Sequence, residues 1–380
     1  MDDDGHGSCL SGSAVRRSVP HPAHRDVDVP AQRGDAGAAR TLKAVTPAWT
    51  PPSSGLIHGC WQLASGHGSA WDRSTAFAAL DRAAEKAGPL VLDCADIYTG
   101  VERLLGDWMA ARPAHAGKVV VHTKFVPDLE ALPALDRAYV RRVVERSRER
   151  LRVETLDLVQ LHWWDFGVSG WVRAAEWLAE LREAGVVRHV GVTNFGSRAL
   201  CTLLDEGIPV VANQVQLSLL DRRPLRRLAG VCRERGVSLL CYGTLAGGLL
   251  ADRPGAPAPA DNRSLRKYRL IVDEVGGPQV LERARAELAA VAARAGVSMA
   301  EAAAGYVLAR PAVGAVIVGL SRRGPDLDVA RVRLRPAEVA RLEAAVPDTV
   351  AGGVYEVERD RTGPHGRIMQ YDLNRGVRGA

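Results

Sequence analysis

Asp93, Tyr98, Lys124 and His162 each stand at or just beyond the end of a short apolar run. The runs are LVLDC, VVVHTKF and LDLVQLH, with Tyr98 in the ADIYTG stretch that follows the first. These four side chains are the parts needed to protonate a carbonyl oxygen while a hydride arrives at its carbon. A free phenol, with a pKa of about 10, is a weak donor. A neighbouring ammonium is expected to lower that value. A buried ammonium would itself tend to lose its proton, and a carboxylate beside it keeps it charged. Asp93 is the natural counter-ion for Lys124. A histidine at the same place can orient the substrate oxygen, as a donor or within a proton relay. None of these roles requires a metal. Lys124 is one of five lysines set against forty-five arginines, and arginine could not serve as a tunable neighbour.

Polar residues at the ends of several parallel strands converge on one face when the strands close into a barrel, as in the (β/α)8 TIM barrel. From Leu56 onward the chain alternates strand-like and helix-like runs. The strand candidates are LIHGCWQ, LVLDC, VVVHTKF, LDLVQLH, HVGVTNF, VVANQVQL, SLLCYGT and AVIVG. Their β-branched, near-continuous apolar character suits strands buried on both faces. Helical spacing is carried by Val101, Leu104, Leu105, Trp108 and Met109, and again by Leu225, Leu228, Ala229 and Cys232. Glycines at Gly185, Gly207, Gly236 and Gly296 mark helix ends.

The expected organisation is a single barrel domain over residues 53–348. Residues 1–52, polar and without an apolar period, form a disordered N-terminal extension. The Pro-rich segment 251–277 is a long loop suited to a substrate lid, and residues 349–380 form a C-terminal tail that either caps the barrel or frays.

The net charge of +6 comes with apolar content of 47%, ample for a core. In the most basic stretch, Glu145, Glu149 and Glu154 interleave with arginines, while Val140, Val143, Val144, Ser147 and Leu151 mark one helix face. That is a solvated amphipathic helix rather than a nucleic-acid surface. No 18-residue apolar stretch or apolar leader is present, so no membrane span is expected. Acidic residues at Asp2, Asp3, Asp4, Asp26, Asp28 and Asp35 argue against a transit peptide. The six cysteines, Cys9, Cys60, Cys94, Cys201, Cys232 and Cys241, show no CxxC spacing, which points to a reducing, cytoplasmic setting. His6, His21 and His24 lack the partners and spacing of a metal site.

With these residues in view, the chain resembles the aldo-keto reductase superfamily. DCADIYTGVERLLG is similar to the family's strand-two motif, with Cys94 in place of a threonine and Thr99 inserted before Gly100. The resemblance continues through HTKF, LVQLHWW, VGVTNF, NQVQ and YGTLAGGLL, covering roughly Leu56 to Leu327. It implies an NADP-dependent oxidoreductase (NAD being possible) that reduces a small aldehyde or ketone, with Tyr98 as proton donor supported by Asp93, Lys124 and His162. It implies a nicotinamide cofactor without a Rossmann domain. Thr193, Asn194 and Gln214 would hold the carboxamide, and Tyr242 would stack on the ring. Gly243, Leu245 and Gly247 would approach the pyrophosphate. Gly319, Ser321, Arg322 and Arg323 would meet the adenosine phosphate, an arginine there favouring NADP. Gly59, Cys60 and Trp61 match the family's first-strand motif. Trp61, Trp163 and Trp164 would wall the substrate pocket. The alternatives are a sugar or alcohol dehydrogenase working in reverse, or a cofactor-binding regulatory subunit of the same fold. Substrate identity and oligomeric state are left open.

Overall fold

In the computed structural model, which describes residues 49–65, 71–86, 88–252, 263–320, 327–346 and 350–374, the strand-like runs pair side by side. The strands are β1 (Leu56–Gly59), β2 (Leu90–Asp93), β3 (Val119–Phe125), β4 (Leu156–His162), β5 (Val187–Thr193), β6 (Val210–Gln216), β7 (Ser238–Tyr242) and β8 (Val313–Gly319). All pairings are parallel, and β8 returns to β1 to close the barrel. The helices are α1 (Arg73–Ala84), α2 (Val101–Ala111), α3 (Pro113–Ala116), α4 (Arg137–Leu151), α5 (Trp171–Glu183), α6 (Ser197–Asp205), α7 (Arg223–Arg226) and α8 (Leu228–Arg235). After β7 come α9 (Arg263–Glu274), α10 (Pro278–Ala295) and α11 (Met299–Leu308), and after β8 come α12 (Pro336–Ala345) and α13 (Glu356–Arg359).

Strand side chains alternate between the two faces, and that period places the site. A separate apolar cluster of Ile57, Val91, Leu158, Val211, Ala212, Leu240, Ala315 and Ile317 fills the barrel interior, with Val120 packed against it. Stepping two residues toward the strand ends on the same face leads from Val91 to Asp93, from Leu158 to Gln160 and on to His162, from Ala212 to Gln214 and from Leu240 to Tyr242. On β3 the same parity runs Val120, His122, Lys124. The apolar layer is thus a floor, and the polar residues above it converge at the C-terminal mouth, where barrels of this kind place their chemistry.

The outer layer follows the helical period. The buried face of α4 is Val140, Val143, Val144, Ser147 and Leu151, with Asp136 capping its start by accepting from Tyr139 N at 2.6 Å. α2 lies so close to α4 that a Cβ on Gly106 would stand 2.9 Å from the Leu151 carbonyl carbon. Gly185, Gly207, Gly236 and Gly296 all take left-handed φ at helix ends, as their spacing suggests.

Several elements differ from the sequence expectation. β1 stops at Gly59, because the chain turns at Cys60 into a 3-10 turn, Trp61–Leu63, that carries Trp61 over the mouth. The helix expected through Leu225 and Cys232 is broken at Arg227 (φ −140°) into α7 and α8. The long loop 251–277 is not irregular throughout: its second half is α9, while residues 253–262 lie outside the described residues. Trp49 and Pro51, expected within the extension, pack on the barrel. Trp49 packs against the interior cluster, and Pro51 lies 2.7 Å from where a Cβ on Gly314 would stand. Residues 1–48, with His6, His21 and His24, are outside the described residues.

Candidate active site

At the mouth, the Lys124 ammonium donates to Asp93 Oδ2 at 2.8 Å and to the Cys94 carbonyl at 2.7 Å. The other carboxylate oxygen, Asp93 Oδ1, accepts from Gln214 Nε2 at 2.6 Å and Gln160 Nε2 at 3.5 Å. Both members of the pair are about 5% exposed. Burial would drive a lysine's pKa down, but the Asp93 carboxylate outweighs it and holds Lys124 above its ordinary value. The ammonium sits 5.2 Å from the centroid of the Tyr98 ring. Burial pushes the Tyr98 phenol up to about 12, opposed by Lys124. The expected depression by the lysine is therefore present but overridden, and the phenol is fully protonated at neutral pH.

His162 Nδ1 lies 3.3 Å from the Thr193 carbonyl. A carbonyl only accepts, so Nδ1 carries the proton and Nε2 presents its lone pair, with no partner among the described residues. Burial, reinforced by Arg359, depresses this imidazole to about 3, so it is neutral. The ring is packed edge-on between Trp164 (4.3 Å) and Tyr355 (5.5 Å). As placed, His162 is an acceptor rather than a donor.

These side chains line one cavity of about 1170 Å³. Trp61, Thr193, Asn194, Gln214, Tyr242, Gly243, Leu245, Gly247, Gly59 and Gly319 line it too, so most of the sequence-predicted residues are brought together. Asn194 has a left-handed φ of 62°, and its Oδ1 accepts from the Tyr242 hydroxyl at 3.0 Å. Thr193 Oγ1 donates to the Gln214 carbonyl. Gln214 commits its amide nitrogen to Asp93, leaving its carbonyl oxygen for a ligand. The loop after β7 is glycine-rich for a reason the sequence does not disclose. Cβ atoms on Gly243 and Gly247 would stand 2.8 and 2.7 Å from Tyr268, whose ring occupies that space, and both glycines have positive φ. Amide and hydroxyl groups, an aromatic face and a cavity that extends to Val318 and Gly319 of β8 fit a nicotinamide dinucleotide.

Two expected residues are not in the cavity, and three lie outside the described residues. Trp163 has the opposite parity to His162. It is wholly buried in the outer layer, and its indole donates to the Asp165 and Val168 carbonyls. Trp164 does line the cavity, held by its bond to the Pro127 carbonyl. Cys60 is buried beneath the mouth with its thiol on the His58 carbonyl, and burial raises its pKa well above the usual range. Arg359, which the sequence did not single out, donates to the Asn194 carbonyl at 2.7 Å and does not line the cavity. Ser321, Arg322 and Arg323 lie outside the described residues.

Sequence reasoning missed residues of two kinds. Gln160, two before His162 on the same strand face, could have been found by parity. Lys267, Tyr268 and the tail residues Tyr355, Ile368, Met369 and Leu373 also line the cavity, and no local pattern marks them. The tail is a cap. Arg223 forks onto Glu358 at 2.9 and 2.8 Å and onto Asp221. Further on, Asn374 is socketed between Asp128, the Val126 carbonyl, Asp96 and Arg146.

A parallel eight-stranded barrel with a lysine–aspartate pair beneath a tyrosine at its C-terminal mouth defines a class of barrel oxidoreductase. The Aldo/keto reductase family model matches residues 55–346, and the chain belongs to that family. It is 33% identical over 193 residues to the chloroplastic pyridoxal reductase of Arabidopsis thaliana, an overlap of 46% of this chain and 52% of that protein. It is 31% identical over 197 residues to Protein tas of Escherichia coli (44% and 57%), and 28% identical over 241 residues to flagellar radial spoke protein 5 of Chlamydomonas reinhardtii (52% and 45%). The chain thus spans about half the length of the curated relatives it matches. A thermostable aldo-keto reductase solved with the inhibitor epalrestat superposes with a TM-score of 0.59 at 22% identity, covering 77% of this chain and 94% of that one, which establishes the fold. Among the described residues no helix is long and apolar enough to cross a membrane, and no cluster of His, Cys, Asp or Glu could hold a metal.

Proposed function

We propose that this protein is an NADPH-dependent reductase of small aldehydes or ketones, with Tyr98 as the proton donor. The observation that carries the reading is the buried Lys124–Asp93 pair placed against the Tyr98 ring in the same cavity as His162. A reduced nicotinamide, when bound, supplies the hydride. Tyr98, protonated up to about pH 12, gives its proton to the carbonyl oxygen as charge builds there. The Lys124 ammonium stabilises the tyrosinate left behind, and Asp93 keeps that ammonium charged. The His162 lone pair accepts a hydrogen bond from the new hydroxyl, which holds the product oxygen against Tyr98. Thr193, Asn194 and the Gln214 carbonyl oxygen orient the carboxamide, and Tyr242 backs the ring. Much of the rate comes from holding the reactants together and the charges in advance. Trp61, Ile97, Val126, Trp164, Ile368 and Met369 give part of the wall an apolar and aromatic face, which suits a carbonyl on an apolar or aromatic body.

Tyr98→Phe removes the donor and leaves the ring packing. Turnover falls by roughly a hundred- to ten-thousandfold on the general-acid argument, while NADPH affinity, read by tryptophan quenching, stays within about twofold. Wild-type turnover by the variant on every carbonyl tested would sink the assignment. The radial-spoke relative supports a second reading, in which the barrel serves an assembly rather than metabolism. Absence of turnover by wild-type protein that does bind NADPH would favour it.

A further inference from the structure

The cavity wall carries charge that the reaction does not use. Its charged lining residues are Asp93, Lys124, Lys267 and Arg269. Asp93 and Lys124 neutralise each other at 2.8 Å, so among the described residues the cavity keeps two positive groups and no free acid. Arg269 is exposed, but Lys267 is only 8% exposed. A lysine so deeply placed ordinarily has a close carboxylate, as Lys124 does. The nearest one to Lys267 is Glu358, 3.8 Å away. Both Glu358 oxygens already accept from Arg223, at 2.9 and 2.8 Å. Three ammonium donors therefore meet one distant and already engaged acceptor.

Beyond Glu358, and the Arg223 and Asp221 charges that act on it from further off, Lys267 is flanked by aromatic rings. Its ammonium lies 5.2 Å from the Tyr242 ring centroid and 5.5 Å from that of Tyr355, a ring that also meets His162 and the Arg359 guanidinium. Two π-faces hold a cation in place without consuming its hydrogen bonds. The next residue, Tyr268, packs on Gly243 and Gly247, so α9 fixes Lys267 at the junction between the Tyr242 platform and the glycine loop. Burial lowers its pKa, opposed by Glu358, as expected for an ammonium whose counter-ion is incomplete.

We propose that Lys267 is the anion-recognising residue of this cavity, its ammonium taking a phosphate or carboxylate oxygen carried by the bound ligand. This rests on the reading of the cavity as the reactive site. It adds a residue and a ligand chemistry to that reading. The anion has two sources, the diphosphate of the dinucleotide or an acidic group on the carbonyl substrate, and one variant separates them.

Lys267→Met keeps the aliphatic stem and removes the charge, and Lys267→Arg keeps the charge. Tryptophan fluorescence titrations of wild type and both variants would use NADPH, inorganic pyrophosphate and 4-carboxybenzaldehyde, with benzaldehyde as the uncharged control and thermal melts as the fold control. If the anion is the cofactor's, Lys267→Met weakens NADPH and pyrophosphate at least tenfold and leaves the selectivity between the two aldehydes unchanged. If it is the substrate's, NADPH is unaffected, while preference for 4-carboxybenzaldehyde over benzaldehyde falls at least tenfold. In either case Lys267→Arg restores most of the loss. Unchanged affinity of Lys267→Met for all three anions, or no binding of any of them by the wild type, overturns the proposal. Wild-type protein that ignores NADPH but loses 4-carboxybenzaldehyde on Lys267→Met would refute the proposed cofactor and leave the anion site standing.

Discussion

Replacing Lys124 by methionine isolates the interaction on which the site is built. The Lys124 ammonium and Asp93 carboxylate meet at 2.8 Å, each about 5% exposed. Removing one partner of such a buried pair strands the other charge, at a cost of about 3–5 kcal/mol. Gln214 and Gln160 remain to donate to Asp93, which places the expected loss toward the lower end. For a barrel of this size about 1 kcal/mol shifts Tm by roughly 1.5 °C, so Lys124→Met should melt about 5 °C below the parent. Asp93→Asn strands the ammonium in turn, leaving it the Cys94 carbonyl as its remaining hydrogen-bond partner. The decisive measurement is the double-mutant cycle by urea denaturation at pH 7. Lys124→Met/Asp93→Asn leaves no charge uncompensated, so it should be more stable than the two single losses sum to, by about 3 kcal/mol. Single losses that add within about 0.5 kcal/mol, the behaviour of independent sites, would refute the coupling and with it the argument that Asp93 is there to keep Lys124 charged.

Burial, reinforced by Glu102, raises the Asp96 carboxyl to about 7. A folded-state pKa above the unfolded value means the group's contribution to stability is full below about pH 4 and is lost as pH rises through 7. Asp96→Asn should therefore gain on wild type between pH 5 and pH 8 by roughly 2–3 kcal/mol, at about 1.36 kcal/mol per pH unit. A pH-independent difference in urea midpoints would contradict this. Gly106→Ala should cost about 1–3 kcal/mol by forcing α2 off α4, since the new methyl would meet the Arg150 and Leu151 backbone. A melting temperature equal to the parent's would show that the two helices are less tightly opposed than they stand here.

The barrel and the quartet were legible in the sequence because both rest on short-range regularities. A strand buried on both faces must be apolar and β-branched, and a polar residue at its end therefore stands out. Asp93, Lys124 and His162 were visible in this way, and the period-two rule would have added Gln160 and removed Trp163. Tertiary structure alone decided the rest. Lys267, Tyr268, Tyr355 and Arg359 come from segments whose local patterns describe only an amphipathic helix or a polar tail. The tail reaches the barrel mouth because Arg223 binds Glu358 across 135 residues and Asn374 reaches Asp96 across 278. The direction of the Tyr98 shift was equally invisible. It depends on burial outweighing a neighbouring charge, and burial is a property of the whole packed chain rather than of any stretch of it.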